Sequence, residues 1–125
     1  MKIFVINLPN AIERREFQKS QLQKLDLDYE FLNAISINDI EQDTYDKHFF
    51  DWQRPLRKEE VACYYSHKSA WQRIIESNKP ALILEDDALL SRCVPELLKI
   101  LEDKTKTDLI NFEVRGRKKY VSIKI

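Results

Sequence analysis

The chain has 125 residues, 43% apolar and 34% charged, with a formal net charge of zero at neutral pH. That length suits one domain with a single core, and the composition is that of a folded chain. Charge balance argues against nucleic acid as the main partner, and no apolar run approaches the roughly 18 residues of a membrane span.

The first element is KIFVIN, 2–7, a β-branched and aromatic run closed by Asn7 and Pro9 and read as a buried strand. Its apolar part is too short for a signal peptide, and no small-residue cleavage site follows it, so cytoplasmic residence is expected. A helix follows, capped by Asn10 with Glu13 as capping-box partner, running to about Leu25 with Phe17, Leu22 and Leu25 facing inward. YEFLNAI, 29–35, is a second strand. Residues 36–57 show no sustained period and read as a long loop with a helical turn near 38–45; they carry Phe49, Phe50 and Trp52. Loops of that length are usually functional.

Residues 58–78 form the strongest helix, with Glu60, Cys63, Tyr64, His67, Trp71, Ile74 and Ile75 on one face and Pro80 as its stop. Trp71 lies at the centre of that face, which predicts a structural role. ALILE, 81–85, is a continuous apolar run of the kind found in a central parallel strand. Helix 93–103 and two strands, 108–114 and 119–125, complete the order, with a basic turn at Arg115–Lys119. Alternation of strands and helices predicts an α/β domain with a mostly parallel sheet, spanning 1–125.

The only glycine is Gly116, which excludes G-x-G-x-x-G and Walker A loops. Turns and helix ends must then rely on Asn, Asp, Ser and Pro. Cys63 and Cys93 read as free buried thiols with no zinc-ligand spacing to His48 or His67.

Glu85, Asp86 and Asp87 end the apolar strand 81–85. Adjacent anions repel, so they need compensation wherever water is scarce. Ligands of open α/β sheets bind beyond the carboxyl ends of the strands. If the extended conformation persists, Glu85 and Asp87 share a side and can hold Mg²⁺ or Mn²⁺. The bland alternative is that the acids cap the next segment or are simply solvated. His67 is either tuned by the nearby Glu60 or is a satisfied core histidine. Arg14 and Arg15 either meet phosphates at the same edge or form a solvated helix face. The aromatics at 49–52 either stack on a base or sugar or cover the core.

Three stretches carry a resemblance: VINLPNAIERR at 5–15, EEVACYYSHKSAWQRIIESN at 59–78, and ALILEDD at 81–87. Together they resemble glycosyltransferase family 25, which includes bacterial lipooligosaccharide galactosyltransferases and collagen galactosyltransferases. The resemblance implies a GT-A-like (Rossmann-like) fold and inverting, metal-assisted transfer of a hexose, galactose above all, from a UDP-sugar. It implies a saccharide acceptor in surface polysaccharide synthesis, and a place in the cytoplasm at the inner face of the inner membrane with peripheral membrane association.

Carried over, Asp87 and then Glu85 stand for the metal ligands of the D-x-D motif, with Mn²⁺ or Mg²⁺ as cofactor. Asn7, Leu8, Arg14, Glu85 and Asp86 stand at the donor. Glu60, Ser66, His67 and Trp71 match the family's signature helix, whose role is partly structural. Glu59 and Ala62 replace two family glycines, which suggests a more regular helix start here. Family members are commonly much longer, so the chain reads as a truncated domain. The alternative is a catalytically inactive nucleotide-sugar-binding module or an interaction domain. In strand 119–125 Val121, Ile123 and Ile125 share an apolar face, which predicts a homodimer through the C-terminal strand.

Overall fold

The computed structural model describes residues 1–104 and 107–112. Three parallel strands, β1 (Lys2–Asn7), β2 (Tyr29–Asn33) and β3 (Ala81–Glu85), form a sheet in the order β2-β1-β3. Helices α1 (Ile12–Lys24), α2 (Gln42–His48), α3 (Lys58–Ser77) and α4 (Val94–Lys104) flank it. This is the predicted Rossmann-like α/β arrangement. Among the described residues β1 is the central strand and β3 lies at the edge, whereas the apolar run of β3 suggested the centre. Residues 109–112 carry no strand, contrary to the expectation for 108–114. Strand 119–125, the basic turn and the homodimer contact predicted there lie outside the described residues. No helix among the described residues is long and apolar enough to cross a membrane.

Strand alternation divides the core. Ile3 and Val5 join Leu22 of α1, Leu84 of β3 and Leu98 of α4 in one buried cluster. Phe4 and Ile6 are buried as well. Alternation turns them to the opposite face of β1, and α3 also packs against this strand. A second cluster, Ile40, Val61 and Ala62, ties α3 to the 35–56 segment.

Two helix faces differ from expectation. In α1 the buried positions are Gln18 and Leu22, while Phe17 is 46% exposed. Its N-cap is Ala11 rather than Asn10, with no side-chain cap. The Leu8 carbonyl accepts from the Ala11 N–H at 2.9 Å, and the resulting turn sets the helix entry. In α3 the buried residues are Val61, Ala62, Ser66 and Ala70. Trp71 is 42% exposed and Ile75 69% exposed, so the large side chains expected at the core point outward. Small residues four apart let a helix backbone approach its neighbour closely, and bulky ones there would hold it off. The Ser66 hydroxyl donates to the Ala62 carbonyl at 2.9 Å and accepts from the Ile35 N–H at 2.8 Å, which satisfies it inside the core.

Asn78 closes α3 in the left-handed conformation, φ 49°, and Asp26 adopts φ 52° after α1. Asn and Asp tolerate that region, so helix ends here do without glycine.

Candidate functional site

β1 is followed by β2 on one side and, after α3, by β3 on the other. The direction of winding therefore reverses between β1 and β3. In open α/β sheets the crevice beyond the carboxyl ends at such a switch point is where ligands bind. Asn7 ends β1 there and Glu85 ends β3; in the register Ile6 pairs with Glu85.

The three acids at this edge occupy three environments. Asp86 is buried and accepts from Asn7 Nδ2 at 2.8 Å and from Arg14 at 3.0 Å. The Arg14 guanidinium is correspondingly raised above its ordinary pKa, first by its hydrogen bond to Asp86. The Gln18 amide donates to the carbonyls of Asp86 and Ala88, at 3.3 and 2.6 Å. Gln21 donates to the Ala88 carbonyl at 3.1 Å and accepts from the Leu90 N–H at 2.8 Å. The backbone of the acidic turn is thus clamped by α1. These two glutamines escaped the sequence reading; their i, i+3 spacing on the inward side of α1 was the available signal.

Glu85 faces the other way. Its Oε1 lies 3.2 Å from His67 Nε2 and 4.0 Å from Cys63 Sγ, both on α3. Of the two readings of His67, one paired it with Glu60. Glu60 instead binds Arg54 at 2.6 and 2.9 Å and accepts from the Arg57 N–H at 2.8 Å, which pulls its carboxyl down to about 2. Burial, and then Glu85, raise the Cys63 thiol above its ordinary value. Cys63 and Cys93 are both exposed, which corrects the expectation of buried thiols. Trp71 packs its ring 6.3 Å from that of His67, and Tyr64 lies 6.4 Å from Trp71.

Asp87 is exposed. The Ala88 N–H donates to the Glu85 carbonyl at 3.1 Å, so the chain turns at 86–87. The extended conformation that would have put Glu85 and Asp87 on one side does not persist; Asp87 stays exposed at the turn, and Glu85 is directed toward α3. Leu8 is 38% exposed at the adjoining turn. Arg15 stacks over the Phe31 ring at 4.2 Å, and its outer contact is Asn7 Oδ1 at 3.5 Å. Phe50 and Trp52 are 74% and 65% exposed, so neither covers the core.

The family model for glycosyltransferase family 25 (LPS biosynthesis protein) matches residues 1–123. The chain belongs to glycosyltransferase family 25. Procollagen galactosyltransferase 1-A of Xenopus laevis is 31% identical over 96 residues, covering 69% of this chain and 16% of that protein. A glycosyltransferase 25 family member of Anopheles gambiae is 29% identical over 99 residues, 68% of this chain and 16% of the relative. Lipooligosaccharide biosynthesis protein lic2B of Haemophilus influenzae is 28% identical over 97 residues, 76% of this chain and 36% of the relative. The family-25 chain thus spans from about a sixth to about a third of the length of these relatives.

A hard divalent ion, as the family implies, takes oxygen ligands and needs only one or two carboxylates when phosphates supply the rest. Asp87 fits that requirement: it is an exposed carboxylate at the switch point. Glu85 fits it less well, because its oxygen is directed to an imidazole and a thiol.

Proposed function

We propose that this family-25 chain binds a UDP-sugar, UDP-galactose first, at the β1/β3 switch point. The sugar is then transferred with inversion to a saccharide acceptor of the lipooligosaccharide or polysaccharide class. The observation that carries this reading is the exposed Asp87 on a turn clamped by Asn7, Arg14 and Gln18 beyond the carboxyl ends of β1 and β3. The similarity to procollagen galactosyltransferases and to a lipooligosaccharide biosynthesis protein supports the same class.

Each residue then has a physical task. Asn7 and Asp86 join the two strand ends and hold the edge rigid. Arg14 spends one guanidinium nitrogen on Asp86, and its side chain stays 61% exposed, so further N–H donors are free to meet diphosphate oxygens. Asp87 would hold Mn²⁺ or Mg²⁺. Such an ion would supply positive charge where negative charge grows on the departing UDP. Leu8 offers an apolar surface beside the donor. Glu60 and Ser66 support the site at one remove, Glu60 at the start of α3 and Ser66 between α3 and the segment after β2.

Isothermal calorimetry with UDP, in Mn²⁺ and in EDTA, tests the reading. UDP heat that appears with Mn²⁺ and vanishes in EDTA is the expected result. Equal UDP affinity in both buffers, or none in either, would count against it. Binding of UDP-galactose without transfer to any saccharide acceptor would favour the binding-module alternative.

A further inference from the structure

We infer that Cys63, His67 and Glu85 form a three-ligand site for a borderline-soft divalent ion, zinc above all, distinct from the Asp87 edge. The inference does not rest on the donor reading. Among the described residues these three side chains bring one sulfur, one nitrogen and one oxygen within 4.8 Å of one another.

Two of the three ligand separations lie near those of tetrahedral zinc. At bond lengths of about 2.3 Å to sulfur and about 2.1 Å to nitrogen or oxygen, tetrahedral ligands sit about 3.6 Å apart for S and O and about 3.4 Å for N and O. The observed separations are 4.0 Å for Cys63 Sγ to Glu85 Oε1 and 3.2 Å for His67 Nε2 to the same oxygen. Closing the difference takes only a small side-chain adjustment, which partly exposed groups can make.

The placement follows from the fold. Cys63 and His67 are four residues apart on α3, so one helix face presents both. Glu85 faces them because alternation along β3 turns Leu84 toward α1 and α4 and Glu85 toward α3. The chemistry also matches. Thiolate and imidazole favour zinc over magnesium, and one thiolate with one carboxylate balances the charge of a divalent ion. As the Sγ–metal bond forms, the thiol proton leaves to solvent. The Trp71 ring lies beside the His67 imidazole, with centroids 6.3 Å apart. With three protein ligands the fourth position is open to water or to an anionic oxygen, and the ion ties α3 to the end of β3.

The test uses the whole chain with Zn²⁺ or Co²⁺ alone. One ion should bind per chain, and Co²⁺ should give a thiolate charge-transfer band with the intense visible bands of tetrahedral coordination. Cys63→Ser should abolish the thiolate band. His67→Ala should weaken Zn²⁺ by more than the roughly 10–100-fold cost of disturbing a residue that only supports a ligand. Cys93→Ser should leave binding intact. On the unmutated chain Zn²⁺ should slow alkylation of Cys63 but not of Cys93, which keeps the test independent of variant folding. The inference is overturned if no ion binds, if Co²⁺ shows no thiolate band, or if the band survives Cys63→Ser.

Discussion

The Asn7 amide donates to Asp86 Oδ2 at 2.8 Å, and the two residues retain only 1% and 8% exposure. This bond joins the carboxyl ends of β1 and β3 across the point where the winding reverses. It helps explain how an apolar strand can end in three carboxylates. The middle acid is consumed by Asn7 and Arg14, the first turns to α3, and the third reaches solvent. Divergence of the three side chains and local donors relieve their mutual repulsion.

Removing that buried carboxylate leaves Asn7 and Arg14 without their partner. Asp86→Ala is expected to destabilise the chain by about 1–3 kcal/mol. Asp87→Ala, on the exposed side of the same turn, should fall within about 0.5 kcal/mol of the unmutated chain. Urea denaturation followed by circular dichroism measures both. Equal costs at the two positions would refute the division of roles.

Helix α3 offers a second contrast. Trp71 is half-exposed and Ala70 fully buried. Trp71→Ala should cost about 1 kcal/mol, short of the roughly 3–5 kcal/mol lost when a buried aromatic is truncated. Ala70→Leu should cost about 1–3 kcal/mol or more, because the added methylenes have no room against the sheet. The same denaturation series ranks the two. A Trp71→Ala loss exceeding that of Ala70→Leu would restore Trp71 to the core.

Glu60 gives a pH signature. Its folded-state pKa of about 2 lies below the ordinary 4.5, so the unfolded chain binds the proton first as pH falls. Its contribution is present above pH 4.5 and is lost as pH falls toward 2. Glu60→Gln should flatten the decline of the thermal midpoint across that window. An unchanged pH profile in the variant would mean that the Arg54 contact is not made in solution.

Much of this was legible in the residues. Strands 2–7 and 81–85, and the helix from Lys58, announce themselves by composition and by their stops. The acid edge followed from a general rule about α/β sheets. What failed was the choice of helix face. Hydrophobic size weighted the wheel toward Tyr64 and Trp71, whereas close packing selected Ala62, Ser66 and Ala70. Likewise Gln18 is polar, yet it is buried because the backbone of the acidic turn needs donors. The Cys63–His67–Glu85 cluster joins residues 18 or more positions apart across α3 and β3, and no spacing rule within one element reveals it. Asp87 and Glu85 were assigned one side by strand parity, which stops applying where the chain turns.

The central claim is that a UDP-dependent metal site lies at Asp87. Paramagnetic broadening of amide signals by substoichiometric Mn²⁺, with and without UDP, tests it most directly. With UDP present, broadening should centre on residues 85–88 and the turn at 7–11, and should disappear in Asp87→Asn. Broadening that is indifferent to UDP, centred elsewhere, or unchanged in Asp87→Asn would contradict it.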